Sequence, residues 1–121
     1  MLLVKTEIRK SSIHGLGLFA EEFIPEGKAV WKFTPGFDVV MDVSFAESLR
    51  SHVKEYLDHY GYLDKRLGKY ILASDNARFI NHSPDPNIFS DDSSDYYGID
   101  TALRNIYPGD EITINYSTIE G

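Results

Sequence analysis

Apolar and polar residues alternate in short runs along most of this chain, and one stretch departs from that rhythm. Residues 2–9, Leu-Leu-Val-Lys-Thr-Glu-Ile-Arg, end in the period of two that marks a half-buried strand. Residues 11–17 read as a turn with glycines at 15 and 17, and Leu18-Phe19-Ala20 as a short apolar strand. Pro25 and Gly27 mark the next turn, residues 29–33 the next strand, and Pro35-Gly36 its end. Between residues 44 and 60 the period lengthens. Phe45, Leu49, Val53, Tyr56, Leu57 and Tyr60 recur at three- and four-residue spacing, which predicts one helix. Ser44 with Glu47 forms a capping box at its start, and Gly61 or Gly68 ends it. Residues 70–73 return to strand and residues 76–87 form a long loop. Residues 91–95 make an acidic, hairpin-like excursion. Strands over 97–106 and 112–116 flank a Pro108-Gly109-Asp110 turn. Many short strands and one helix predict a mainly β domain, β-rich α+β in class.

The 121 residues are enough for one domain and one core, over residues 1–121, with no repeat or low-complexity segment. No apolar run approaches the ~20 residues that cross a bilayer. Lys5, Glu7, Arg9 and Lys10 follow the apolar start too closely for a secretory segment. The expectation is a soluble, intracellular protein without membrane contact. With no cysteine, disulfides and thiolate zinc sites are excluded. His52 and His59 lie seven apart on the predicted helix without a third ligand, so no metal site is expected. The net charge of −7 argues against direct nucleic-acid binding. It either steers a basic partner by long-range attraction or serves solubility alone.

The candidate chemistry lies in the long loop. In Arg78-Phe79-Ile80-Asn81-His82-Ser83-Pro84-Asp85-Pro86-Asn87 an apolar pair runs into two side chains that both donate and accept, and two prolines stiffen the exit. Such a turn has the groups to hold the edge of a heterocycle such as adenine. The segment resembles the R-F-I-N-H-S-x-x-P-N signature of SET-domain protein lysine methyltransferases. Two further blocks agree, in the family's order. Gly15-Leu16-Gly17-Leu18-Phe19-Ala20 resembles its G-x-G-(V/L)-F-A start, and residues 104–116, ending Glu111-Ile112-Thr113-Ile114-Asn115-Tyr116, resemble R-x-I-x-x-G-E-E-L-T-x-D-Y. Together they bracket nearly the whole chain. The likeness is to the minimal core found in small viral and microbial members, without zinc-binding flanks.

The resemblance implies a β-clip of small curved sheets with a threaded, pseudoknot-like C-terminal segment and one inserted helix near 44–60. It implies methyl transfer from S-adenosylmethionine to a lysine amine of a basic protein or peptide, leaving S-adenosylhomocysteine, without metal. By the same resemblance Tyr116 is catalytic and touches the cofactor. Gly15, Leu16, Gly17, Asn81 and His82 bind the cofactor, Asn81 toward its amino-acid part and His82 toward adenine, largely through backbone. Tyr70 and, through a weaker Y-x-G match, Tyr60 and Tyr62 line the substrate channel, with helix-end packing as the competing role for the latter pair. The His82 side chain is either a ligand contact or a tie to the C-terminal strand.

The chain departs from the pattern at Asn115, where the family has Asp, and at Ile114, where an aromatic is common. Only residues 117–121 follow Tyr116, too few for a lid over the channel. The short end leads to the expectation of a homodimer in which one subunit shields the other's site. It also leaves open the alternative of a non-catalytic SET-fold module that binds cofactor or basic peptide.

Overall fold

The computed structural model describes residues 1–117. Its strands form four small sheets. β1 (Thr6–Lys10) pairs antiparallel with β2 (Leu16–Ala20). β3 (Ala29–Lys32), β9 (Ile99–Ala102) and β8 (Ile88–Asp91) form a three-stranded sheet with β9 in the middle. β4 (Val39–Asp42), β6 (Lys69–Leu72) and β5 (Tyr62–Asp64) form a second, with β6 in the middle. β7 (Asn81–His82) and β10 (Thr113–Ile114) make a parallel pair. The mainly β class expected from the short apolar runs is the class observed.

The predicted single helix is two. α1 spans Val43–Glu47 and α2 spans Ser51–Tyr60. At the break the Ser48 hydroxyl and amide both donate to the Phe45 carbonyl, the local competition through which serine interrupts helices. Arg50 is then extended (φ −61°, ψ 149°) and its carbonyl accepts the first bonds of α2. Ser44 is not the cap. Asp42 occupies that position without a capping side-chain bond, and its carboxylate meets Lys69 instead. Glu47, the other half of the expected capping box, pairs with Lys54 at 3.7 Å. The apolar stripe is only partly core: Leu57 is buried, whereas Phe45, Val53 and Tyr56 are exposed.

Three groups of buried side chains hold the sheets together. The largest joins Leu18, Ile24, Val30, Ile88, Ile106 and Ile112, all fully buried, so β2, β3 and β8 share one core with the C-terminal segment. Burying an aliphatic side chain of this size contributes roughly 1.5–3 kcal/mol. A second group gathers Trp31, Phe33, Ile71 and Ala73, and a third Ala46, Leu57 and Tyr70. Strands β4 and β5, which the sequence reading passes over, cover β6 from either side.

Candidate active site

The two outer sequence blocks meet through Glu111. Its carboxylate accepts from Ser11 Oγ at 2.7 Å and from Asn81 Nδ2 at 2.9 Å. Asn81 Nδ2 also donates to the carbonyls of His14 and Leu16, both at 3.1 Å. The Asn81 amide therefore fastens the glycine loop to the long loop, and the Glu111 carboxylate ties Ser11 and Asn81 to the C-terminal block across 100 and 30 residues. A Cβ at position 17 would stand 2.5 Å from Glu111 Oε2, so a larger residue there displaces the Glu111 carboxylate. The space that the missing side chain of Gly17 leaves is taken by Glu111. Gly15 differs. Its φ of +44° favours glycine, and nothing lies within 4 Å of where a Cβ would be.

Asn87 joins the end of the long loop to the C-terminal strand. Its Nδ2 donates to the Glu111 carbonyl and its Oδ1 accepts from the Thr113 amide, each at 2.8 Å. The parallel register then sets Thr113 beside Asn81 and Ile114 beside His82. This pairing delivers Tyr116 to the long loop. The Tyr116 hydroxyl donates to the Ile80 carbonyl, and the Tyr116 amide donates to His82 Nδ1 at 3.1 Å. The His82 side chain thus ties down the C-terminal segment. Asn115 Oδ1 accepts from both the amide and the hydroxyl of Ser117, at 3.1 and 2.6 Å. Four of the five residues that follow Tyr116, 118–121, lie outside the described residues.

Two cavities adjoin at Tyr116. The first, of about 610 Å³, is bordered by Gly15, Leu16, Asn81 and His82, with His59, Tyr60 and Phe79 on its aromatic side. That volume lies in the roughly 300–1,000 Å³ range of small-molecule sites. The second is narrower, about 80 Å³, and is lined by Trp31, Tyr60, Tyr62, Asp100, Ile114 and Tyr116 among others. Asp58, His59, Tyr60, Arg78, Ile80 and Tyr116 border both. Tyr60 packs edge-on against Phe79 at 5.6 Å between centroids and against His59 at 4.4 Å. Arg78 is held from both sides, donating to the Ala73 carbonyl at 2.9 Å and to the Tyr56 hydroxyl.

Of the residues singled out in the sequence, Gly15, Leu16, Tyr60, Asn81, His82 and Tyr116 border the first cavity, and Tyr60, Tyr62 and Tyr116 the second. Gly17 and Tyr70 border neither. Tyr70 is buried with Ala46 and Leu57, with the Lys54 ammonium 5.1 Å over its ring. Burial and the neighbouring Asp100 and Asp64 hold the Tyr62 hydroxyl far above the ordinary phenol range, so it stays protonated. Sequence reasoning missed Glu111 and Asp100. Glu111 stood inside a recognised block without a role. Asp100 carried only the weak signal of an acid in a predicted strand.

The group that the resemblance implies can be tested against the first cavity. S-adenosylmethionine presents a flat base, polar sugar and amino-acid ends, and a cationic sulfonium. The wall supplies aromatic faces, which attract cations, and a glycine loop with open space beside Gly15. The residues fit it.

Comparison with known proteins agrees with this geometry. Residues 15–117 match the SET domain. A histone-lysine N-methyltransferase, H3 lysine-36 specific, of Candida albicans is 29% identical over 120 residues, covering 93% of this chain and 14% of its own length. The histone-lysine N-methyltransferase trithorax of Drosophila virilis is 30% identical over 122 residues, covering 88% of this chain and 3% of its own. The chain thus spans a small part of these relatives. The crystal structure of a candidate histone methyltransferase from Plasmodium falciparum superimposes with a TM-score of 0.66 at 28% identity, over 95% of each chain. A match that runs from the glycine loop through Tyr116 takes in every block that builds the two cavities, and the chain belongs to the SET-domain family.

Proposed function

We propose that this protein is a protein-lysine N-methyltransferase that uses S-adenosylmethionine and acts on a basic protein or peptide. The observation that carries this reading is the position of Tyr116 on the wall between the two cavities. The first cavity has the size and lining for the cofactor. The second has the narrow aromatic bore for an unbranched alkyl amine. When bound, the cofactor supplies an activated methyl group.

What remains for the protein is positioning, desolvation and charge. Gly15, Leu16 and His82 border the cofactor's cavity, while Asn81, bound to Glu111 and to two carbonyls of the glycine loop, fixes that loop's shape. Asn81 is therefore a positioning residue, acting on the cofactor through the loop. Tyr60 and Tyr116 border the passage between cavities, and their rings exclude water while tolerating a cationic amine. The Tyr116 hydroxyl commits its hydrogen to Ile80, so what it presents to an amine is an acceptor oxygen. An amine held by that oxygen is oriented with its lone pair available for in-line attack. The net charge of −7 favours encounter with a basic protein, and the relatives named as histone-lysine methyltransferases act on such proteins.

The test is incubation with methyl-labelled S-adenosylmethionine and a panel of histones and basic peptides, followed by mass spectrometry of the modified residue. Methyl groups on lysine are expected. Cofactor binding by calorimetry with no transfer across the panel would assign the chain to the binding-module alternative.

A further inference from the structure

Asp100 lies at the centre of the β3–β9–β8 sheet, in register with Trp31 on one side and Ser90 on the other. It lines the narrow cavity beside Tyr62 and Tyr116. The side chain is half-buried, and it has no hydrogen bond or side-chain ion pair among the described residues. Trp31, on the same wall, buries its Nε1 without a hydrogen-bond partner. The buried indole N–H without a partner is costly to the fold, whereas the half-buried Asp100 carboxylate faces the cavity with no protein partner among the described residues. The arrangement makes sense as a receptor for a cation that enters the bore.

Resting on the methyltransferase reading above, we propose that Asp100 is the amine-receiving residue of the narrow cavity: its carboxylate pairs with the ammonium of an incoming lysine side chain and takes one of its protons. In that step one N–H bond breaks and one O–H bond forms. Ammonium and carboxylate become amine and carboxylic acid, and the nitrogen keeps the electron pair it needs as a nucleophile. The acid returns its proton to solvent when the cavity opens. No co-reactant is required. The same chemistry discriminates against arginine, whose guanidinium cannot be deprotonated in this range.

The protonation behaviour agrees. Burial pushes the Asp100 carboxyl up to about 7, against a small downward pull from the amino terminus. A carboxyl poised there can be ionised for recognition and still accept a proton. The other titratable or charged groups on the wall are Asp58, His59, Tyr60, Tyr62, Arg78 and Tyr116. On the flanking strands, Lys32 pairs with Asp95 at 3.7 Å and Asp91 accepts from Ser93.

The test follows aspartate carboxyl carbons by NMR over roughly pH 5 to 9. It uses the wild-type protein alone, the protein with n-butylammonium chloride as a stand-in for the lysine side chain, and Asp100→Asn as the assignment control. One carboxyl should titrate near neutrality, be missing from the variant, and shift its midpoint downward with the amine. In parallel, wild-type kcat/KM on a methylated lysine peptide should rise with pH through the same midpoint. Asp100→Asn should be slower by ~10²-fold near neutrality and recover toward alkaline pH, where the substrate supplies its own neutral amine. Its affinity for S-adenosylhomocysteine should be unchanged. An Asp100 resonance indifferent to the amine overturns the proposal, as does a variant with wild-type rate and pH profile. A resonance that responds to the amine in a protein that transfers no methyl keeps the amine site and removes the methyltransferase reading.

Discussion

Glu111 and Asn81 show how single side chains give this site its shape. The carboxylate fills the space that Gly17 leaves and collects donors from Ser11 and Asn81. Gly17→Ala should therefore push Glu111 aside. Overpacking of this kind costs roughly 1–3 kcal/mol, and the glycine loop should lose its grip on S-adenosylhomocysteine. Calorimetry and a thermal melt check both effects; unchanged affinity and melting would mean that Glu111 gives way without consequence. Asp100 makes a second residue-scale prediction. A carboxyl raised from its ordinary 3.8 to about 7 is ionised in the unfolded chain while still protonated in the folded one. Between those two values the folded state therefore loses stability as pH rises, and above about 7 the loss is complete. Asp100→Asn should melt above the wild type at about pH 8, with the gap closing as pH falls toward the ordinary carboxylate range. A gap independent of pH would contradict this. At this scale the sequence named six residues that border the first cavity, because motif and backbone geometry coincide there. It was silent on Asp100, since nothing local tells an acid in a strand which face it takes.

The elements divide into those that carry the site and those that surround it. The parallel pair β7–β10 is two residues long on each strand and cannot be stable by itself. Asn87 makes up for its shortness with bonds to the Glu111 carbonyl and the Thr113 amide. Asn87→Ala would leave that buried amide and carbonyl unpaired, at a cost of roughly 1–3 kcal/mol. It should release the C-terminal strand ahead of the rest, seen as faster amide exchange at Thr113 than at Ile71 in the middle of β6. Equal protection at both positions would show that the pair is held by packing alone. Element legibility followed the same division. The apolar runs marked β2, β3 and β6. The 3.6-residue stripe located the helical region but not its break, because a serine hydroxyl turning onto its own helix is a tertiary choice as much as a local one. β4, β5 and β8 (Ile88–Asp91) were passed over. Val39 and Val40 are exposed, so β4 shows no inward-outward alternation to read.

At the scale of the whole molecule, three sequence blocks separated by tens of residues become one wall. The glycine loop, the long loop and the C-terminal strand meet around Glu111, Asn87 and Tyr116, and Tyr116 borders both cavities. The mainly β class was readable from the periodicity, and the gathering of the blocks only from the resemblance. Short strands do not encode their partners across 30 to 100 residues. Tyr116 lies at the seam, and the proposed methyl transfer turns on its hydroxyl. The measurement that tests this most directly compares Tyr116→Phe with the wild type, in methyl transfer to a lysine peptide and in S-adenosylhomocysteine binding. The variant keeps the ring and loses only the hydroxyl. Turnover should fall by ~10²-fold or more, the scale of one preorganised polar contact in a dry site, while cofactor affinity changes far less. Equal turnover by the two proteins would remove Tyr116 from the mechanism and with it the junction account.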